Sequence, residues 1–111
     1  MDLYMTFAAH FDAGHRGTPE HASHHHGHHY KVEATTSGVD ASLGTDLDFL
    51  VAEFVGRDVE DMLNGGGSDV CSMAANFLER LMLAHPGMTQ VVVWETDRVS
   101  GRAVRTRTGR G

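Results

Sequence analysis

The strongest constraint on the fold is a change of hydrophobic period partway along the chain. Leu47, Leu50, Val51, Phe54 and Val55 fall three or four residues apart, the apolar stripe of an amphipathic helix. Gly56 interrupts the stripe, Val59, Met62 and Leu63 add a further apolar turn, and Asn64 with the three glycines after it stops the helix. Met73, Ala74, Phe77, Leu78, Leu81 and Met82 repeat the stripe up to His85-Pro86-Gly87. On either side of these helices the period is two. Tyr30, Val32 and Ala34 alternate with Lys31, Glu33 and Thr35, as in a half-buried strand. Leu3 to His10 is rich in β-formers, Gln90 to Thr96 reads as a strand, and Arg102 to Thr108 as a last edge strand. Asp12 to His25 carries Gly14, Gly17 and Pro19 without an apolar period, which predicts a long loop. Thr45 or Asp46 is the expected cap of the first helix and Ser68 or Asp69 that of the second.

The order strand, strand, helix, helix, strand, strand predicts an α+β domain, a four-stranded antiparallel sheet with two helices on one face. A chain of 111 residues has room for one such domain, spanning 1–111, with residues 106–111 as a tail. The sheet's open edges are expected to pair with another subunit. Apolar runs such as Leu81 to Ala84 are far shorter than the ~20 residues of a membrane-spanning helix, so no membrane partner is expected. A net charge of −6 argues against nucleic acid as a partner. The start of the chain does not read as a secretory signal, and a single cysteine, Cys71, permits no internal disulfide; both fit a cytoplasmic location.

Seven of the nine histidines lie between His15 and His29, so chemistry is sought there first. If the second strand begins near His26, His26 and His28 point the same way, ~7 Å apart along the backbone. Two imidazoles so placed can converge on one ion, and a third from an adjacent strand completes the three-ligand set of a catalytic zinc. His10, at the end of the first predicted strand, is the candidate third ligand. A solvated polar stretch and a histidine-rich metal buffer are the competing readings of the same residues.

Five short motifs give a resemblance. Phe7 to His10 (FAAH), His26 to Val32 (HGHHYKV), Gly44 to Phe49 (GTDLDF), Met62 to Asn64 (MLN) and Val93 to Asp97 (VWETD) follow the order and spacing of the 6-pyruvoyl-tetrahydropterin and 6-carboxytetrahydropterin synthase family. The family patterns are approximately F-x-A-x-H, H-G-H-N-Y, G-M-V-x-D-F, L-N and a strand bearing E-T. The resemblance implies the tunnelling fold, in which sheets of several subunits join into a barrel, commonly a hexamer. It implies one Zn2+ per subunit, held by His10, His26 and His28, and a pterin-like small-molecule substrate. It also implies that Glu95 anchors the pterin ring, with backbone groups near Val70 and Cys71 as a second contact. A carboxylate suits the first task because it accepts two parallel hydrogen bonds from a 2-amino group and a ring N–H.

The sequence departs from the family where proton transfer is expected. The positions four and six residues before His26 hold Ala22 and Glu20 in place of the catalytic cysteine, and Val59-Glu60 replace an Asp-His pair. Glu20 is then the first candidate base. His24 is a second, because an imidazole is a competent base near neutral pH. Cys71 lies at the wrong motif and reads as a small buried thiol. Asp48 and Phe49 are expected to cap and pack the first helix, and Trp94 to pack on the third strand. The resemblance therefore implies a zinc-dependent lyase with non-standard catalytic residues. The alternative is a repurposed relative that binds zinc and a pterin- or purine-like ligand without turnover.

Overall fold

The computed structural model describes residues 1–16, 25–64 and 67–106, with the side chains of 15, 16 and 25–27 outside that description. Two long strands, β1 (Tyr4–Arg16) and β2 (His25–Ser37), lead into helices α1 (Ser42–Ala52), α2 (Val59–Met62) and α3 (Val70–Met82), and strands β3 (Met88–Trp94) and β4 (Ser100–Val104) follow. The four strands form one antiparallel sheet in the order β1-β2-β3-β4. This is the predicted α+β order, with one short helix added. Among the described residues no helix is long and apolar enough to cross a membrane.

Alternation along the strands divides the sheet into two faces. Ala9, Phe11 and Ala13 of β1, Tyr30, Val32 and Ala34 of β2, and Val91 and Val93 of β3 are buried against the helices. The helices answer with Leu43, Leu47, Leu50 and Val51 from α1 and Met73, Ala74, Phe77, Leu78 and Leu81 from α3. Phe54 and Phe77 meet edge to face with centroids 4.9 Å apart, and Phe11 stacks on Tyr30 at 5.1 Å. The opposite face carries His10, Asp12, His29, Lys31 and Glu33, and no helix of the described residues covers it.

Several boundaries differ from the sequence reading. β1 continues six residues past His10, into the predicted loop, because Asp12–Arg16 pairs with His25–His29 of β2. The chain after α1 also binds this stretch: Gly56 N–H donates to Asp12 O at 2.8 Å and Gly14 N–H to Arg57 O at 3.0 Å. Cross-strand partners supply here the order that the glycine-rich composition does not. α1 begins at Ser42, a turn earlier than predicted, because buried Leu43 extends the stripe, and Ala41 provides no side-chain cap. The helix ends at Ala52, so Val55 leaves the stripe and is exposed, as is Phe49, which was expected to pack. β4 ends at Val104 and not near Thr108. Asp69 caps α3 as predicted, accepting from Ser72 N–H.

One close approach ties α3 to the sheet. A Cβ at Gly101 of β4 would lie 2.6 Å from the backbone nitrogen of Cys71, so only glycine lets the start of α3 rest on β4. Gly101 pairs with Val93, two residues before Glu95.

Candidate metal and ligand site

β2 positions His28 by simple alternation. The inward series Ala34, Val32, Tyr30 continues to His28, and from there the strand runs past the end of α1 into a cavity of about 670 Å³. His28, His29, Gly14, Arg57 and Asp58 are among the residues around that cavity. On β3 the inward series Val91, Val93 continues to Glu95, the first residue after the strand. The two series converge: His28 Nε2 lies 3.1 Å from Glu95 Oε1, and each side chain is 26% exposed.

The turn that carries Glu95 is held by its own hydrogen bonds. Glu95 N–H donates to Val99 O at 3.0 Å, and Thr96 Oγ1 accepts from the backbone N–H groups of Arg98 and Val99, both at 3.1 Å. Glu95 borders a second cavity, of about 360 Å³, together with His10, His29, Lys31 and Trp94. His29 borders both cavities. Both volumes lie in the range of small-molecule sites.

Beneath His28 lies Tyr30, with ring centroids 5.8 Å apart. Its hydroxyl is buried and finds no hydrogen-bond partner among the described residues. Burial first, and the charge of Glu95 second, push the phenol up to about 12, so it remains a protonated donor.

His10, predicted to share an ion with His26 and His28, stands on the other face of the sheet. It pairs with Lys31 in register and is in phase with the exposed residues of β1, whereas His28 is in phase with the buried residues of β2. Its Nδ1 is 3.1 Å from His29 Nε2, and His29 Nδ1 is 2.7 Å from Asp12 Oδ1. His10 is therefore removed from the ligand set. The period of two that makes His26 and His28 neighbours also excludes it.

The register points to a different partner. His15 is directly opposite His26, and Ala13 directly opposite His28. Position 15 is in phase with buried Phe11 and Ala13, and position 26 with His28 and Tyr30. The signal was present in the sequence: Phe11-Asp12-Ala13-Gly14-His15 fits F-x-A-x-H at full spacing, whereas FAAH is one residue short.

The remaining predicted site residues fall in three places. Val70 is buried at the start of α3. Cys71 is exposed, not the buried thiol expected, because it falls between the inward positions Val70 and Met73 of the helical stripe. Glu20 and His24 lie outside the described residues. Among the described residues no group of three metal-ligating side chains converges, and the side chains of His15 and His26 are not in that set.

Comparison with known proteins bears on this geometry. The family described as 6-pyruvoyl tetrahydropterin synthase matches residues 4–104. In fold the chain is similar to Caenorhabditis elegans 6-pyruvoyl tetrahydropterin synthase, with a TM-score of 0.80 at 16% identity over 96% of this chain and 97% of that one. It is also similar to an uncharacterized protein from Wolinella succinogenes, with a TM-score of 0.62 at 17% identity over 94% of this chain and 99% of that one. No curated protein matches the chain in sequence. The structural likenesses establish a shared fold, and the family match spans nearly the whole described chain: the protein belongs to the 6-pyruvoyl tetrahydropterin synthase family.

Proposed function

We propose that the protein is a zinc-dependent lyase acting on the side chain of a dihydropterin, with His15, His26 and His28 holding the metal and Glu95 holding the ring. The observation that carries this reading is the 3.1 Å approach of His28, which borders one cavity, to Glu95, which borders the other. The donor set suits zinc: three imidazoles, two of them at directly paired strand positions and the third in phase with them. When bound, the ion would supply Lewis-acid polarisation of a side-chain oxygen.

The chain's own residues supply the rest. The Glu95 carboxylate accepts from the 2-amino and ring N–H edge of the pterin and so orients it. The start of α3, resting on Gly101, brings the backbone of Val70 and Cys71 to the same end of the sheet as a second ring contact. Glu20 takes the carbon-bound proton, with His24 as the alternative base. Subunits joining by their sheet edges into a barrel would complete the site, as the family fold implies.

The test is incubation of the zinc-loaded protein with 7,8-dihydroneopterin triphosphate and analysis of the product. Turnover is expected, together with its loss in Glu95→Ala and Glu20→Ala. Turnover that survives Glu20→Ala rejects that base, and turnover that survives Glu95→Ala rejects the anchor.

One observation favours a second reading, a relative that binds a pterin- or purine-like ligand without turnover. Val59, where the family's acid of the Asp-His pair is expected, is fully buried in the core. An aliphatic side chain there performs packing and no proton chemistry. Ligand binding that depends on Glu95, with no product formed, selects this reading.

A further inference from the structure

We infer that Arg57 binds the phosphate tail of a pterin side chain, so that the ligand of this chain is a phosphorylated pterin held by its tail as well as by its ring. The inference rests on the pterin reading proposed above and adds a residue that lies in none of the five motifs.

The placement of Arg57 follows from its neighbours. Buried Phe54 and Val59 bracket the exposed residues Val55, Gly56 and Arg57, so the segment is anchored in the core on both sides. Gly56 turns the chain with a φ of 70°, a conformation that glycine adopts freely. Arg57 N–H donates to Phe54 O and Arg57 O accepts from Gly14 N–H, both at 3.0 Å. The backbone of Arg57 is thereby fixed against the end of β1, beside the cavity of about 670 Å³ that His28 also borders.

Charge singles it out. Among the ionisable groups around that cavity, Asp12 Oδ1 is 2.7 Å from His29 Nδ1, and Asp58 Oδ1 accepts the Asp61 N–H at 3.1 Å as the cap of α2. His28 Nε2 is 3.1 Å from Glu95 Oε1. The Arg57 guanidinium makes no hydrogen bond and no ion pair with any described residue. A guanidinium stays charged at every working pH, and its planar fork of N–H groups matches two oxygens of a phosphate. In a wall whose carboxylates already have partners, it is the group left to meet an anion.

The order of the groups sets the class of ligand. Glu95 borders one cavity, His28 touches Glu95, and His28 and Arg57 border the other cavity. A ring held by Glu95, with its side chain passing His28, therefore delivers the far end of that side chain to Arg57. A carboxyl set directly on a short side chain would stop at His28, whereas a phosphate tail extends beyond it. The contact is one of charge and hydrogen bonds, with no covalent bond made or broken.

The experiment titrates the zinc-loaded full chain with neopterin triphosphate and, separately, with neopterin. Both probes carry the oxidised, fluorescent ring, so binding is read without turnover. The wild type is expected to bind the triphosphate about tenfold or more tighter than neopterin. Arg57→Gln and Arg57→Ala are expected to remove most of that preference, with affinity for neopterin and the far-ultraviolet circular dichroism unchanged. Arg57→Lys should keep part of it, as a point charge without the fork. Added salt should weaken triphosphate binding more in the wild type than in Arg57→Gln. A preference that survives both Arg57→Gln and Arg57→Ala overturns the inference. So does an equal loss for the two probes, which is the mark of a reshaped cavity. A wild type that binds both probes equally overturns this inference and leaves the pterin reading standing, whereas one that binds neither removes the two together.

Discussion

Two histidines of this chain, His28 and His85, both meet carboxylates, and the contrast between them separates chemistry from architecture. His85 sits between α3 and β3 and is 2% exposed. Its Nδ1 is 2.5 Å from Asp40 Oδ2 and its Nε2 is 2.6 Å from Asp46 Oδ2. A neutral imidazole has one N–H, so two carboxylates on two nitrogens require the imidazolium. The ring is saturated, clasping the β2–α1 connection and α1 to the start of β3. His28 is half-buried at a cavity and meets a carboxylate that is also half-buried. The first contact joins separate elements of the fold, and the second lies at the edge of a cavity.

Exchanging the two rings gives the largest expected effect. On the proposed three-imidazole site, His28→Ala should abolish tight one-to-one metal binding, a loss of several orders of magnitude, while metal-free thermal stability stays near that of the wild type. His85→Gln should do the reverse, lowering the melting temperature and leaving metal affinity within a factor of two. Calorimetric metal titration and thermal unfolding of both variants check this. A metal-binding defect in His85→Gln would break the division between the two rings.

Gly101→Ala tests the scaffold that both regions share. The added Cβ would meet the backbone of Cys71 and Val70, which has no flexible end to move aside. Overpacking of this kind costs about 1–3 kcal/mol, read by chemical denaturation. If the start of α3 supports the turn that carries Glu95, affinity for a pterin-like ligand should weaken too, by less than in Glu95→Ala.

The clasp should also show in the pH dependence of stability, as a smaller effect. Burial lowers the tendency of His85 to protonate, but hydrogen bonds and charges from Asp40 and Asp46 outweigh it, and the net shift is upward. A raised folded value means the contribution is full below the ordinary histidine value of 6.5 and is lost as pH rises through the folded one. Asp40 moves the other way, held down by the Ser42 hydroxyl first and by His85 second. Its contribution is present above the ordinary 3.8 and is lost as pH falls through the depressed value. The difference in melting temperature between wild type and His85→Gln should therefore be widest near about pH 6 and narrow toward about pH 9. A difference that is flat over this range would mean His85 is not charged.

The same contrast explains what could be read from the sequence. The α3 stripe and the alternation of β2 were legible because local period alone determines which side faces the core, and Asp69 as a cap because its partner is three residues away. The extension of β1 to Arg16 was not, because Gly14 and its neighbours are ordered by pairing with β2 and with residues 56–58. His28 and Glu95 were singled out by motif, but their approach needs two strands of separate origin to converge. His10 was chosen for its place at a supposed strand end. Once the strand continues, face parity decides, and His15 takes the position opposite His26. The His85 clasp was invisible, since Asp40 and Asp46 lie 45 and 39 residues away in sequence.

The smallest expected effect belongs to a third kind of carboxylate, one saturated within its own turn. Asp69 Oδ1 accepts the Ser72 N–H at 2.9 Å and Oδ2 accepts the Ser72 hydroxyl at 2.9 Å. The Ser72 backbone first, and its hydroxyl second, hold Asp69 below the usual carboxylate range. Asp69→Ala removes the cap and should cost about 1 kcal/mol, whereas Asp69→Asn keeps an acceptor and should lose only part of that. The aspartate's advantage over asparagine should be present above pH 3.8 and vanish as pH falls through the depressed value. Because this contact closes on itself, neither variant should alter metal affinity by more than about twofold. A larger change would mean that fraying of α3 reaches the proposed metal site, and the line drawn between fold-holding and ligand-holding groups would then have to include the start of this helix.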